Sequence, residues 1–355
     1  MDYDYYIKDI WGRCSFAFAF SLVIAAILAG GFIDKLKQFK LKQVFRKKEE
    51  VRELADLHSK KKNTPTIGGL IIFLPSLICS IAFMSMNRMT YVTLFSYICF
   101  SILGFFDDYR KIFKKNTKGV SAGKKLLFQL VMTLIIVAVL ISQNGWYSIG
   151  SGVYIPFTHD ELAMSSFFMA ILFFFVLAGS SNSVNLTDGI DGLAIGCVIP
   201  SLAFFMVASI ISGDLMLSAK FDMPYFKGAG EISVICASVI GASLVFLWHN
   251  SHPAEVFMGD TGSLALGGLI GTVAILLNQY IALIMVGGIF VVEALSDILQ
   301  VGYFKLSKGK RIFKMAPLHH HFELSGMHES KIVVRSWIIA IVLAILGIYS
   351  IFVKI

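Results

Sequence analysis

Ten continuous apolar stretches dominate the chain, at about residues 15–33, 67–86, 91–106, 125–142, 163–179, 193–212, 231–248, 263–278, 281–304 and 335–353. Stretches of this length match a hydrocarbon layer of roughly 30 Å, inside which backbone N–H and C=O groups must find partners within the chain. The runs lack the two-residue alternation of a lipid-facing strand, which favours helices over a barrel. The expected fold is all-α, a polytopic membrane protein of ten transmembrane helices. Composition agrees: 56% of the 355 residues are hydrophobic and 15% charged, too few polar side chains for a water-facing surface. No soluble insert and no fixed-period repeat interrupts the runs, so residues 1–355 read as a single integral domain.

Orientation follows from the basic residues. The alternate connections at 34–66, 107–125, 180–192, 249–262 and 305–335 hold 25 of the 31 Lys and Arg residues, which makes that face cytoplasmic and places both termini outside. The opening Met1-Asp2-Tyr3-Asp4-Tyr5-Tyr6 lacks the basic start of a cleaved signal peptide, so the first span is expected to be kept. The net charge of +8 sits beside the spans, where anionic headgroups attract it. Membrane lipids, and no nucleic acid, are the partners this implies. Five dispersed cysteines without a C-x-x-C pair predict neither a disulfide framework nor a thiolate metal site.

Three acidic clusters fall at ends of these runs on the face the charge count makes cytoplasmic: Asp107-Asp108, Asp188 with Asp191, and Asp260. Brought together, so many carboxylates demand a cation, and a cation held by carboxylates on a membrane surface suits phosphate chemistry. Asp107 and Asp108 are adjacent, so on a helix their side chains diverge by about 100° and take different roles. Arg110 and Lys111 beside them provide charge for a phosphate; without those neighbours the pair would read as a solvated helix end. Asp188 and Asp191, at three-residue spacing, share one face if the segment enters the sixth span helically. Asn182 and Asn185 repeat that spacing, and Gly189 and Gly192 let a phosphate or nucleotide approach the backbone; the plain alternative is a capped turn. Asp260 lies between Gly259 and Thr261-Gly262, again either a helix start or a presented carboxylate. Phe257 can stack on a base and Asn250 can pair with its edge.

Three consecutive histidines, His319 to His321, cannot converge on one metal from regular geometry. They read better as donors to phosphate, His319 and His320 foremost, with Glu323 orienting them. Glu293, Asp297 and Gln300 lie within the ninth span and should face protein or water, Gln300 as a nucleotide-pocket residue, the two acids equally as a buried network.

The segments Thr64-Pro65-Thr66-Ile67-Gly68-Gly69, Asp107 to Lys111, Asn182 to Gly192, Phe257 to Gly262 and Met315 to Glu323 together resemble the phospho-N-acetylmuramoyl-pentapeptide transferase family, within the polyprenyl-phosphate N-acetylhexosamine-1-phosphate transferases. The acidic clusters carry the superfamily; the Pro-x-His-His-His-x-Glu segment carries the muramoyl branch. The resemblance implies ten spans in a bacterial plasma (inner) membrane with the active site on the cytoplasmic face. It implies a Mg2+-dependent enzyme that joins undecaprenyl phosphate to the phospho-sugar of UDP-N-acetylmuramoyl-pentapeptide, giving lipid I and UMP for peptidoglycan synthesis, as a homodimer. By it, Asp260 is the magnesium ligand and Asp107 deprotonates or positions the lipid phosphate. Asp108, Lys111, Asp188, His319 and His320 complete the phosphate environment, and Lys61, Asn185, Gly189, Asp191, Asn250, Phe257 and Gln300 surround the uridine nucleotide. The chain departs from the family pattern upstream of His58, at Asn63 where glycine is usual, and at Ile67 where methionine is common. The alternatives are a related UDP-N-acetylhexosamine transferase, which the histidine segment opposes, and a cation-coupled transporter, which would place its acids near the midplane as Glu293 and Asp297 are placed.

Overall fold

The computed structural model describes residues 3–39, 64–113, 119–141 and 152–354. Among these, thirteen helices and one hairpin follow in order: α1 (Tyr3–Gln38), α2 (Leu70–Phe83), α3 (Arg88–Phe113), α4 (Ala122–Ile141), β1 (Gly152–Tyr154), β2 (Glu161–Ala163), α5 (Ser166–Thr187), α6 (Leu193–Gly213), α7 (Leu215–Lys220), α8 (Glu231–Asn250), α9 (Gly259–Leu276), α10 (Tyr280–Val286), α11 (Gly288–Leu306), α12 (Leu318–Glu323) and α13 (Glu329–Phe352). Eight helices, α1, α3 to α6, α8, α9 and α13, are long and apolar enough to cross a membrane. The β1–β2 pair is antiparallel with Val153 opposite Leu162.

Two of the expected spans take another form. The second, α2, has 14 residues, because the chain before it is stitched to a distant loop: Gly68 N–H donates to Phe257 O at 2.8 Å, Gly69 N–H to Met258 O at 2.9 Å, and Phe257 N–H to Pro65 O at 2.8 Å. Ile67, at φ 70°, turns the backbone into this pairing at a cost a β-branched residue rarely bears. The ninth breaks at Gly287-Gly288 into α10 and α11, bent by 86°; counted as one span, the pair raises the total to nine.

At the centre stands α9, between α3 and α5. Its glycines allow the approach, as small residues do where lipid supplies no hydrophobic drive. Gly267 lies on the Ser180–Ser181 backbone and Gly268 on the Phe100 ring, while Ser96 and Thr272 hydroxyls hydrogen-bond at 2.6 Å. A second group gathers α1, α2 and α6 around α8, and α13 packs on α6. This packing brings the end of α3 and the beginnings of α4 and α9 to the end of α5.

Candidate active site

Asp107 and Asp108 leave α3 in different directions. Asp107 is fully buried and faces two ammonium groups: Lys111 Nζ is 2.5 Å from its Oδ2, and Lys125 Nζ, from the first turn of α4, is 3.2 Å from its Oδ1. Val120 N–H also donates to Oδ1 at 2.7 Å. Gly119 makes room, at φ +56° with the carboxylate where a side chain would start. Asp108 instead caps α9. Its Oδ1 accepts Asp260 N–H at 3.1 Å and its Oδ2 accepts Thr261 N–H at 2.9 Å and Thr261 Oγ1–H at 2.6 Å, placing a negative charge on free donors at a helix N-terminus.

That cap fixes Asp260, whose two oxygens accept from the same lysines, Oδ1 from Lys111 and Oδ2 from Lys125, at 2.8 and 2.7 Å. Two aspartates and two lysines thus form a closed ring of four charges across α3, α4 and α9. The sequence predicts converging carboxylates that a cation must reconcile; resident ammonium groups reconcile Asp107 with Asp260. One oxygen each of Asp107, Asp108 and Asp260 still lie within 4.8 Å of one another. Three carboxylates are a hard-oxygen donor set of the kind that suits Mg2+, so the residues fit a divalent ion.

Around this ring the remaining residues separate into two groups. Asp188 caps the end of α5; loss of water, then the charges of Asp260, Asp108 and Asp191, push its carboxyl well above the usual range. Asn185 Nδ2–H donates to Ser263 Oγ at 2.8 Å, tying α5 to α9. His319 is buried, its Nδ1 3.0 Å from Glu293 Oε2, and its Nε2 has no partner among the described residues. That nitrogen is against Gly189, where a β-carbon would collide with the ring. Glu293 therefore orients a histidine from the broken ninth span. Phe257 is half-buried in the loop paired with Gly68.

The second group is engaged with backbone or with other side chains. Asn250 accepts Gly192 N–H at 3.0 Å and donates to Val256 O at 2.8 Å. Gln300 accepts from Ile312 and Phe313 N–H, both at 3.0 Å, and donates to Phe313 O. Asp191 faces away from the ring, its Oδ2 3.2 Å from His252 Nδ1 and accepting Ala254 N–H at 3.1 Å. His320 Nδ1 is 2.7 Å from Glu323 Oε2. Lys61 lies outside the described residues. Lys125 escaped the sequence reading, because a lysine at the head of a span is what orientation alone requires. Its one signal was that it follows Gly119 closely, within the connection that begins at Asp107.

Residues 89–278 match glycosyl transferase family 4. Over 345 residues the chain is 45% identical to the phospho-N-acetylmuramoyl-pentapeptide-transferase of Methylacidiphilum infernorum, covering 97% of this chain and 94% of the relative. It is 43% identical to the enzyme of that name from Citrifermentans bemidjiense, covering 96% and 93%, and 45% identical to that of Rickettsia felis, covering 82% and 81%. A helical bundle with a lysine–aspartate ring at the meeting of its helix ends, and relatives aligned along nearly its whole length, place the chain in glycosyl transferase family 4 as a member of the phospho-N-acetylmuramoyl-pentapeptide-transferases.

Proposed function

We propose that this chain transfers phospho-N-acetylmuramoyl-pentapeptide from its UDP conjugate to undecaprenyl phosphate, releasing UMP and forming lipid I. The observation that carries the reading is the ring of Asp107, Asp260, Lys111 and Lys125. Diphosphate exchange asks chiefly for charge neutralisation and in-line alignment, and a ring of exchangeable ion pairs offers both. Lys111 and Lys125 donate to phosphate oxygens as these replace the aspartates. Asp107 is held between two ammonium groups, so its role is to position the lipid phosphate through the lysines. Asp108 holds Asp260 in place from the far side of the α9 N-terminus. His319 points its Nε2 at the phosphate region with Glu293 setting its tautomer, and Asp188 closes that region. His320 joins it through Glu323.

Mg2+ would be held by Asp260 with Asp107 and Asp108 beside it; when bound it supplies Lewis-acid neutralisation of the diphosphate. An oxygen of the lipid phosphate attacks the sugar-linked phosphorus, and the P–O bond to UMP breaks. Direct attack is favoured because two anions can be aligned on one cationic centre without an added intermediate. A kinetically competent covalent aspartyl adduct would overturn it. The uridine lies along Phe257, Gly189, Asp191 and Asn185; Lys61, which the family resemblance assigns to the same nucleotide, is outside the described residues. Asn250 and Gln300 shape that pocket through the backbone they hold.

The same reading makes residues 1–355 one integral domain with ten spans in the bacterial inner membrane. Both termini are outside, the centre is on the cytoplasmic face, and two copies form the working unit. Purified protein in vesicles, given undecaprenyl phosphate, Mg2+ and either UDP-N-acetylmuramoyl-pentapeptide or UDP-N-acetylglucosamine, tests the substrate by UMP release. Preference for the second sugar, or undiminished release after removal of divalent ions, would refute the proposal.

A further inference from the structure

We infer that Glu329, the first residue of α13, is a positioning residue for the transfer: with Trp337 it braces the turn Asp188–Gly192 in front of the lysine–aspartate ring. The inference deepens the transferase reading and rests on it. The ion pairs of Asp107 and Asp260 are with Lys111 of α3 and Lys125 of α4, whereas α13 meets the turn through Glu329 and Trp337.

The grip is on two successive residues. Glu329 Oε1 accepts Asp191 N–H at 2.8 Å, and Glu329 Oε2 is 3.5 Å from His252 Nδ1, which is itself 3.2 Å from Asp191 Oδ2. One carboxylate, one imidazole and one Asp191 residue close a small ring. One residue on, Trp337 Nε1–H donates to Gly192 O at 3.0 Å, its indole lying so close to Gly196 that no side chain fits between. On the other side Asn250 takes Gly192 N–H. Gly192 itself, at φ +80°, adopts a conformation that glycine tolerates best. The three side chains Asp191, His252 and Glu329 also bring ligand atoms within 4.8 Å. Their carboxylates, however, already accept backbone N–H groups, Asp191 from Ala254 and Glu329 from Asp191, the arrangement of a brace.

The other end of the turn explains why a brace matters. Asp188 joins the acidic group there, and the Gly189 backbone touches the His319 ring. His319 lies on α12 and Glu329 begins α13, so a single segment, 318–329, engages both ends of the turn. A turn that slips changes the placement of Asp188 and His319 together, and misplacement by about 1 Å can cost 100-fold in rate.

The test uses the full chain. In Glu329→Ala, amide hydrogen exchange across 188–192 should accelerate and kcat should fall about 10-fold or more, with KM for the UDP substrate changed less. Glu329→Gln, which keeps an acceptor for Asp191 N–H, should recover most of both. Combined with Asp188→Asn, Glu329→Ala should cost less than it does alone, because both act on the same turn. Unchanged exchange in Glu329→Ala overturns the brace whatever the activity. Turnover within about twofold of the unaltered protein, or equal losses with and without Asp188, overturns the positioning role. Should the alanine variant not fold, Glu329→Asp, too short to reach Asp191, must show the same exchange and kcat changes. Failure of the unaltered protein to release UMP, with exchange behaving as expected, would count against the transferase reading and leave the brace supported.

Discussion

Replacing Lys125 with methionine tests the ring most directly. The side chain keeps its length and packing and loses one ammonium group, 3.2 Å from Asp107 and 2.7 Å from Asp260. At an effective dielectric of about 20, each contact is worth a gross ~5–6 kcal/mol, most of it offset by the cost of taking the charges out of water. Leaving one lysine to serve two largely buried carboxylates costs a net ~3–5 kcal/mol in comparable buried pairs, and the lysine's 15% side-chain exposure moves the expectation to the lower end. If Lys125 also donates to phosphate in the transition state, kcat should fall about 100- to 1,000-fold, the usual loss for one preorganised donor. The uncompensated carboxylates should also attract divalent cations more strongly, so half-maximal rate should need less Mg2+ than in the unaltered protein. UMP release measured against Mg2+ concentration reads both effects. A variant with kcat within about threefold of the unaltered protein, or one needing more Mg2+, would show that the ion pairs are structural ornaments to a site located elsewhere.

Asp260→Asn should abolish most activity and raise the Mg2+ needed for what remains, whereas Asp107→Asn should impair turnover even at saturating Mg2+; near-normal UMP release by both would refute the two assignments. Gly104→Ala places a β-carbon on the Asp260 carbonyl and 2.6 Å from Thr261 N, where overpacking costs about 1–3 kcal/mol. It should lower the melting temperature in detergent and reduce turnover together, and an unchanged melting curve would mean that α3 and α9 pack more loosely than described. Glu293→Gln weakens the orientation of His319 and should lower kcat about 10-fold with little effect on the melting temperature; loss of folding without a kinetic change in the surviving fraction would make Glu293 a purely structural residue.

Much of the site was legible because its residues break a strong background. An Asp-Asp pair, Asp188 and Asp260 at ends of apolar runs are conspicuous where charge is expensive, and the divergence of Asp107 from Asp108 follows from helical geometry alone. Other features depend on partners distant in sequence. Lys125 looks like any lysine that fixes topology until α4 is placed beside Asp107. Asn250 and Gln300 look like free amides, because a side chain that reads a base and one that satisfies backbone use the same atoms. The shortening of α2 depends on pairing between residues 65–69 and 257–258, and hydropathy carries no trace of it. The break at Gly287-Gly288 is hidden by an apolar run that continues across it; two glycines alone cannot tell a bend from a close helix contact.

The lysine–aspartate ring also bears on how such a centre survives between reactions. Two positive and two negative groups cancel within one small cluster, so the resting protein carries its own stand-in for the ionic cargo it handles. In the proposed transfer each incoming anion would take an ammonium group, each carboxylate released would be free to hold a divalent ion, and the original partners would re-pair as product leaves. A centre arranged in this way balances its own charges within the protein, which suits an enzyme working at the edge of a bilayer, where unbalanced charge is expensive.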